Sequence, residues 1–163
     1  MAGQEPVRVL SGPSIAAESL GAVAPTVSWL HFAGHGYSNA GNGALFTSGS
    51  AGLPLIASQI VKMNWTHCDL AVLSACWAGT GESRGFTNPE SLVQAFLTAG
   101  ARGVVAPAWA IHSGATAIWM REFYAAMRRG MDAPTAVRAA SRYLSHQSQF
   151  QHPYYWASFA YFT

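Results

Sequence analysis

The hydrophobic and polar positions of this chain alternate between two kinds of pattern. Short unbroken runs of apolar, β-branched or aromatic residues, bounded by Gly, Pro, Ser or Asn, are typical of buried strands. Such runs predict strands over residues 7–10, 27–32, 70–73, 104–109 and 155–162.

Helical patterns lie between these runs. Segment 14–23 predicts a weak helix, because Gly21 interrupts it, and a Ser cap opens a short helix over 58–64. A third helix is predicted to begin at Asn88, with Pro89 in its first turn, and to end at Gly100. Two longer amphipathic helices follow, over 113–129 and from Asp132 onward.

Strands that alternate with helices favour an α/β fold in three layers, with a mostly parallel sheet between helices. The Gly-, Ser- and Asn-rich stretch 38–52 interrupts this rhythm. It predicts either a small hairpin through 44–47 or a flexible loop. At 163 residues, the chain 1–163 is expected to be a single domain.

The composition is unusually poor in charge. Half of the residues are hydrophobic and 10% are charged, so much of the chain is expected to be interior or to face other protein. No run is long enough to cross a bilayer, the N-terminus does not resemble a secretory signal, and free thiols at Cys68 and Cys76 suit a reducing compartment. We therefore expect a cytoplasmic protein without membrane contact.

The net charge of +2 comes from scattered arginines and forms no basic stripe, so direct binding of nucleic acid is not expected. The glycines of the AGTG segment are not followed by GKS or GKT, which argues against a phosphate loop. His31 and His35 have zinc-motif spacing, but they fall in a strand and its loop with Phe32 at the required Glu position. No cofactor and no metal are therefore predicted.

Two predicted strands end in residues that can carry chemistry. The run SWLHF leads into AGHG and places His35 just beyond one strand end, while LAVLSA leads directly into Cys76. In open α/β sheets, active sites form where loops leave the carboxyl ends of the strands. If the two strands are neighbours, a thiol and an imidazole face each other at one edge of the sheet.

This pair has the chemistry of a cysteine nucleophile and its acid/base partner. An adjacent imidazole lowers the pKa of a thiol, and the thiolate attacks a carbonyl to form a thioester. Backbone N–H groups of Gly36 and Cys76 are candidates to stabilise the developing oxyanion. Alternatively, His35 and Cys76 are ordinary core or surface residues. We interpret Cys68, which lies at the opposite end of the strand that leads into Cys76, as such a structural residue.

Other residues are candidates for substrate binding. Trp109 closes one predicted strand and His112 follows it, so both are expected near the edge of the cleft. Glu82, in the loop after Cys76, is a further candidate, or else a solvated loop residue.

Five blocks of the sequence, taken in order, resemble the CHAT domain of the caspase, separase and gingipain group of cysteine peptidases. They are HFAGHG, LAVLSAC with its Gly-rich loop, AFLTAGARGVVAPAW, MREFYAAMRRG and HPYYWASF. The group shares an apolar run ending in His-Gly and a second ending in Ala-Cys. The resemblance implies a caspase-like fold, with catalytic roles for His35 and Cys76.

The chain departs from that family pattern in two ways. Similar sequences usually read SLWxVDD where this chain reads PAWAIHS over 107–113, so an acidic residue near the cleft is replaced around His112. CHAT domains also generally have additional strands before the segment that begins at Val7, and often follow helical repeats. The resemblance implies that this chain is the C-terminal portion of a larger domain or protein.

Together these observations predict a cysteine endopeptidase that cleaves a protein partner and is regulated by an N-terminal segment or a helical-repeat partner. The alternative is an inactive caspase-like scaffold that binds a partner. A hydrolase of a non-peptide amide is a third option.

Overall fold

The computed structural model describes residues 7–12, 15–39, 42–47, 53–75 and 91–163. The strands are β1 (Trp29–Ala33), β2 (Gly36–Asn39), β3 (Asn42–Leu45), β4 (Leu55–Ile56), β5 (Leu70–Ser74), β6 (Val104–Pro107) and β7 (Phe159–Phe162). The helices are α1 (Ala17–Val23), α2 (Ala57–Ile60), α3 (Leu92–Thr98), α4 (Ser113–Arg128), α5 (Ala133–Ser145) and α6 (Pro153–Trp156). Short 3-10 turns occupy Ala24–Thr26 and Ser148–Phe150.

The main sheet has the strand order β1-β5-β6-β7. Strand β5 pairs in parallel with both β1 and β6, whereas β7 returns antiparallel to β6. The two parallel pairs bring the carboxyl ends of β1, β5 and β6 to one edge of the sheet. The mostly parallel α/β sheet predicted from the sequence is therefore confirmed.

Helices cover both faces of this sheet, which makes three layers. Successive strand residues point to opposite faces, so Ala71 and Leu73 of β5 join the core with α3, whereas Leu70 and Val72 join the core with α4 and α5. Both strands in the middle of the sheet are buried on both sides, which explains why their sequences are continuous apolar runs.

The helix ends follow local chemistry. Ser91 accepts a hydrogen bond from the backbone N–H of Gln94 and caps α3, and Asp132 does the same for Thr135 at the start of α5. Gly100 follows α3 with a φ of 106°, and a Cβ at this position would lie 2.8 Å from Cγ2 of Thr66. Glycine is required there because the backbone is left-handed and the space is filled.

A small second sheet follows β1, with the antiparallel order β2-β3-β4. Its first two strands form a hairpin in which Gly36 lies opposite Leu45. The hairpin predicted near 44–47 exists, but it begins at Gly36 and includes a strand that the sequence pattern did not indicate.

Several predicted boundaries are wrong. Residues 7–10 form no strand, and the helix predicted from Asn88 begins at Leu92 with Ser91 as its cap. The short helix predicted over 58–64 covers Ala57–Ile60 and is opened by Ile56. The first part of the strand predicted over 155–162 is helix α6, since Pro153 suits the first turn of a helix and His152 caps it.

Within the part of the chain that the structure describes, no helix combines the length and the apolarity needed to cross a membrane.

Candidate active site

The ends of β1 and β5 lie side by side. Ala33, the last residue of β1, pairs directly with Ser74, the last residue of β5, and the N–H of Gly34 donates to the carbonyl of Ser74 at 3.2 Å. His35 therefore follows β1 at the carboxyl edge of the sheet. Cys76 and Glu82, the predicted nucleophile and a predicted substrate contact, lie outside the described residues.

The backbone of His35 is held by a hydrogen bond. Its carbonyl accepts a hydrogen bond of 2.9 Å from the N–H of Phe46, the residue that follows β3. The residue is exposed, and its ring has no hydrogen bond with another described residue. The backbone of His35 is thus fixed between the two sheets.

The peptide of Gly36 faces away from the hairpin. Antiparallel pairs alternate between those that exchange hydrogen bonds and those that do not. Because the N–H of Phe46 donates to His35, the next pair, Gly36 with Leu45, is of the second kind. The N–H of Gly36 is consequently directed away from β3 and is not used by the hairpin.

Cys68 lies before the amino end of β5 and is fully buried. Burial raises the pKa of its thiol, an environment that keeps a cysteine protonated and inert. This setting agrees with the structural role predicted for Cys68.

His31 contacts Tyr124 of helix α4. Its Nδ1 lies 2.5 Å from the hydroxyl of Tyr124 in α4, and the two rings stack with centroids 5.6 Å apart. Loss of contact between the ring and water lowers the pKa of His31, and burial raises the pKa of Tyr124. The neutral imidazole and the protonated hydroxyl therefore share a hydrogen bond, in which the tautomer of His31 decides which group donates.

Sequence reasoning did not identify Tyr124 as a partner of β1. The available signal was the alternation of β1, which directs Trp29 and His31 to one face of the sheet. Trp29 also approaches Tyr124, with ring centroids 6.5 Å apart.

Trp109 and His112 both lie beyond the carboxyl end of β6, at the predicted edge. The indole N–H of Trp109 donates to the carbonyl of Tyr154 at 3.0 Å. The ring of His112 packs against Tyr155 and Phe150, with centroids 5.5 and 5.9 Å apart. The structure thus brings Trp109 and His112 onto α6 and the turn before it, and no contact joins either residue to His35 among the described interactions.

Comparison with known proteins finds similarity to part of two proteins that are named for tetratricopeptide repeats. It is 32% identical over 69 residues to Tetratricopeptide repeat protein 28 from Homo sapiens, an alignment that covers 42% of this chain and 3% of that protein. It is 28% identical over 93 residues to the protein of the same name from Mus musculus, covering 55% of this chain and 4% of that protein. The matched segment therefore spans only a few per cent of the length of these relatives.

The family comparison covers much more of the chain. The model of the CHAT domain, a caspase-like domain of a peptidase family, matches residues 1–163. The mostly parallel sheet between helices is consistent with that match. This chain belongs to the CHAT domain family.

Proposed function

We propose that this chain is the catalytic part of a cysteine endopeptidase in which His35 and Cys76 hydrolyse a peptide bond of a protein partner. The observation that carries the proposal is the pairing of Ala33 with Ser74. His35 is two residues beyond the first, and Cys76 is two residues beyond the second. The two candidates therefore have the same offset from one register pair.

This common offset favours contact between imidazole and thiol. Neighbouring strands lie about 4.8 Å apart, and consecutive Cα atoms are about 3.8 Å apart, so two residues of chain cannot carry Cys76 far from the end of β5. A nucleophile and its base need to come within hydrogen-bond reach of each other. The exposed ring of His35 is free to take the thiol as its partner.

The proposed reaction has two stages. His35 holds the proton of the Cys76 thiol while the thiolate attacks the scissile carbonyl, and the N–H groups of Gly36 and Cys76 stabilise the oxyanion. The C–N bond then breaks, His35 gives its proton to the leaving amine, and a thioester remains. Water attacks the thioester with His35 as base, which releases the acid and restores the thiol.

A regulatory helical-repeat partner is part of the same proposal. The relatives are named for tetratricopeptide repeats, and the alignments cover 3% and 4% of their lengths. A chain with 50% hydrophobic and 10% charged residues also suits burial against other protein. We propose that the catalytic domain 1–163 receives its signal from such repeats, in the cytoplasm.

The test compares cleavage by the purified wild-type protein with cleavage by Cys76→Ala and His35→Ala variants, using a library of unstructured peptides. We expect each substitution to lower kcat about a thousandfold or more, because it removes the nucleophile or its base. Cys68→Ala and His67→Ala are the matched controls, since Cys68 is buried away from the edge and His67 is an exposed histidine at the opposite side.

Unchanged cleavage in either the Cys76 or the His35 variant would overturn the dyad. A wild-type protein that cleaves no peptide, also when joined to its repeat partner, would instead support the inactive scaffold.

A further inference from the structure

The small sheet β2-β3-β4 has one buried face and one exposed face. Leu45 of β3 and Leu55 of β4 lie opposite each other, are fully buried and belong to the same core as α3. Neighbouring positions point the other way, because side chains alternate along a strand. Large apolar side chains remain in contact with solvent there, since Tyr37 is 49% exposed, Phe46 50% and Ile56 37%. We call Tyr37, Phe46 and Ile56 the small-sheet face.

The small-sheet face is continuous with the candidate catalytic histidine. Ala44 pairs with Tyr37 on one side and with Ile56 on the other, so these side chains form a row across one face of the sheet. The hairpin ladder extends one pair beyond β2, because the N–H of Phe46 donates to the carbonyl of His35. His35 is therefore opposite Phe46 and two residues before Tyr37, which directs its side chain to the same face.

The part of the chain that builds this face contributes no charged side chain. Residues 19–61 contain no Asp, Glu, Lys or Arg. Contiguous exposed apolar side chains mark surfaces that bind other molecules. A charged side chain placed on the small-sheet face would lose water without gaining an ion-pair partner from these residues. The face therefore suits apolar side chains better than charged ones.

The proposed chemistry decides which part of a substrate lies over this face. The acyl side of the scissile bond becomes attached to the sulfur of Cys76, whereas the amine side receives its proton from His35. The leaving amine, and the chain that follows it, must therefore lie on the His35 side of the nucleophile. Strand residues advance about 3.3 Å each, so Tyr37 is roughly 7 Å beyond His35, which is the length of about two residues of extended peptide.

We propose that the small-sheet face binds the substrate segment that follows the scissile bond, and that it selects apolar side chains at the second and third positions of that segment. This inference rests on the proposed peptidase function. Tyr37 and Phe46 determine the selection, because they are the members of the face nearest to His35. A Leu or Phe side chain that packs against them removes apolar surface from water, which favours its binding over that of Ala.

The experiment varies the substrate segment after the cleaved bond. Internally quenched peptides share the sequence before the bond, taken from the best substrate of the peptide library, and carry Ala, Leu, Phe, Lys or Asp at the second and third positions after it. The proteins are the wild type, a double variant with Tyr37→Thr and Phe46→Thr, and Tyr143→Thr. Threonine suits strands. Tyr143 is the matched control, because it is an exposed tyrosine of α5, in the layer on the other face of the main sheet.

We expect the wild type and Tyr143→Thr to cleave the Leu and Phe peptides about tenfold faster, in kcat/KM, than the Ala, Lys and Asp peptides. In the double variant this preference should fall to about twofold, because the apolar contact is lost. The ratio is measured within each protein, so partial unfolding lowers all rates and leaves the ratio unchanged. A wild-type ratio near one, or a double variant that keeps the wild-type ratio, overturns the inference while leaving the dyad intact.

A second peptide series tests the side of the bond. It carries the same residues at the second and third positions before the bond, with Ala at the positions after it. The double variant should rank these peptides as the wild type does. A changed ranking in this series, with an unchanged ranking in the first, would assign the small-sheet face to the acyl side of the substrate and overturn the inference.

Binding separates this inference from the proposed function. If the wild type cleaves none of the peptides, the peptidase proposal fails, and the small-sheet face is then tested by itself. A fluorescein-labelled peptide with the sequence Ala-Leu-Phe-Ala-Ala, which represents the segment after the bond, is titrated with the wild type and with the double variant, and fluorescence anisotropy is the readout. Binding that is about threefold or more weaker in the double variant supports the face. Equal binding by the two proteins, or no binding by the wild type, overturns it.

Discussion

The layer of α4 and α5 and the carboxyl edge of the sheet contain similar side chains in opposite settings. In the layer, Trp119 and Phe123 are fully buried and stack with centroids 5.2 Å apart, and the indole N–H of Trp119 donates to Ser141 at 3.0 Å. At the edge, His35 and Tyr37 are exposed. The layer should therefore contribute most of the stability of the fold, whereas the residues of the proposed chemistry should contribute little to it.

The largest effect expected from this comparison is on stability. Phe123→Ala removes a ring that is fully buried between α4 and the sheet, and it should lower the free energy of unfolding by about 3–5 kcal/mol. His35→Ala should change it by less than about 0.5 kcal/mol, as is usual for exposed positions. Urea unfolding followed by circular dichroism measures both. Equal losses in the two variants would contradict the division between layer and edge.

The second prediction compares the two thiols. Cys68 is fully buried and its pKa is raised by burial, so only a small fraction is thiolate at neutral pH. We expect Cys76 to react with iodoacetamide at pH 7 about tenfold or more faster than Cys68. Peptide mass spectrometry over a time course gives both rates. Faster labelling of Cys68 in the folded protein would show that the buried site is more open than the structure describes.

The smallest effect concerns the contact between β1 and α4. Tyr124→Phe removes the hydrogen bond to His31 and should cost about 1 kcal/mol in the free energy of unfolding. Its aromatic stacking on His31 is kept, so the loss reports the hydroxyl. A loss of several kcal/mol would mean that the hydroxyl supports more of the packing than this single contact.

The same pair makes stability depend on pH in a defined direction. Because the pKa of His31 is lowered from 6.5 in the folded protein, the unfolded chain binds more protons as the pH falls below about 6.5. The contribution of His31 to stability is thus fully present above that pH and is lost below it. Because the pKa of Tyr124 is raised, stability also declines as the pH rises above about 10, and this alkaline decline should disappear in Tyr124→Phe. Urea unfolding over a pH series measures both the acid and the alkaline decline in stability.

Particular elements show how far sequence reasoning reached. The middle strands, the long helices α4 and α5, and the end of α3 at Gly100 were predicted because each rests on a local pattern of several residues. Residues 7–10 have the same apolar character but form no strand, since pairing depends on a neighbouring strand and not on the run itself. Helix α6 was missed because its aromatic sequence is equally typical of a strand.

The residues of the candidate site also divide into those that a local pattern predicts and those that only distant contacts decide. His35 was predicted at a strand end, and the structure places it there beside the end of β5. Sequence reasoning also placed Trp109 and His112 near the edge but could not identify Tyr154 and Tyr155 as their partners, because these lie more than 40 residues further along the chain.

By itself, the sequence determined the middle strands, the long helices α4 and α5, the stop after α3 at Gly100, and the presence of a thiol and an imidazole after two apolar runs. These features depend on side-chain period, capping and backbone freedom, which act over a few residues. The tertiary structure decided that β1 and β5 are neighbours, that Ala33 pairs with Ser74, and that Tyr124 contacts His31. Those outcomes depend on which apolar faces fit together once the whole core is formed, and contacts between distant segments leave no short-range pattern in the chain.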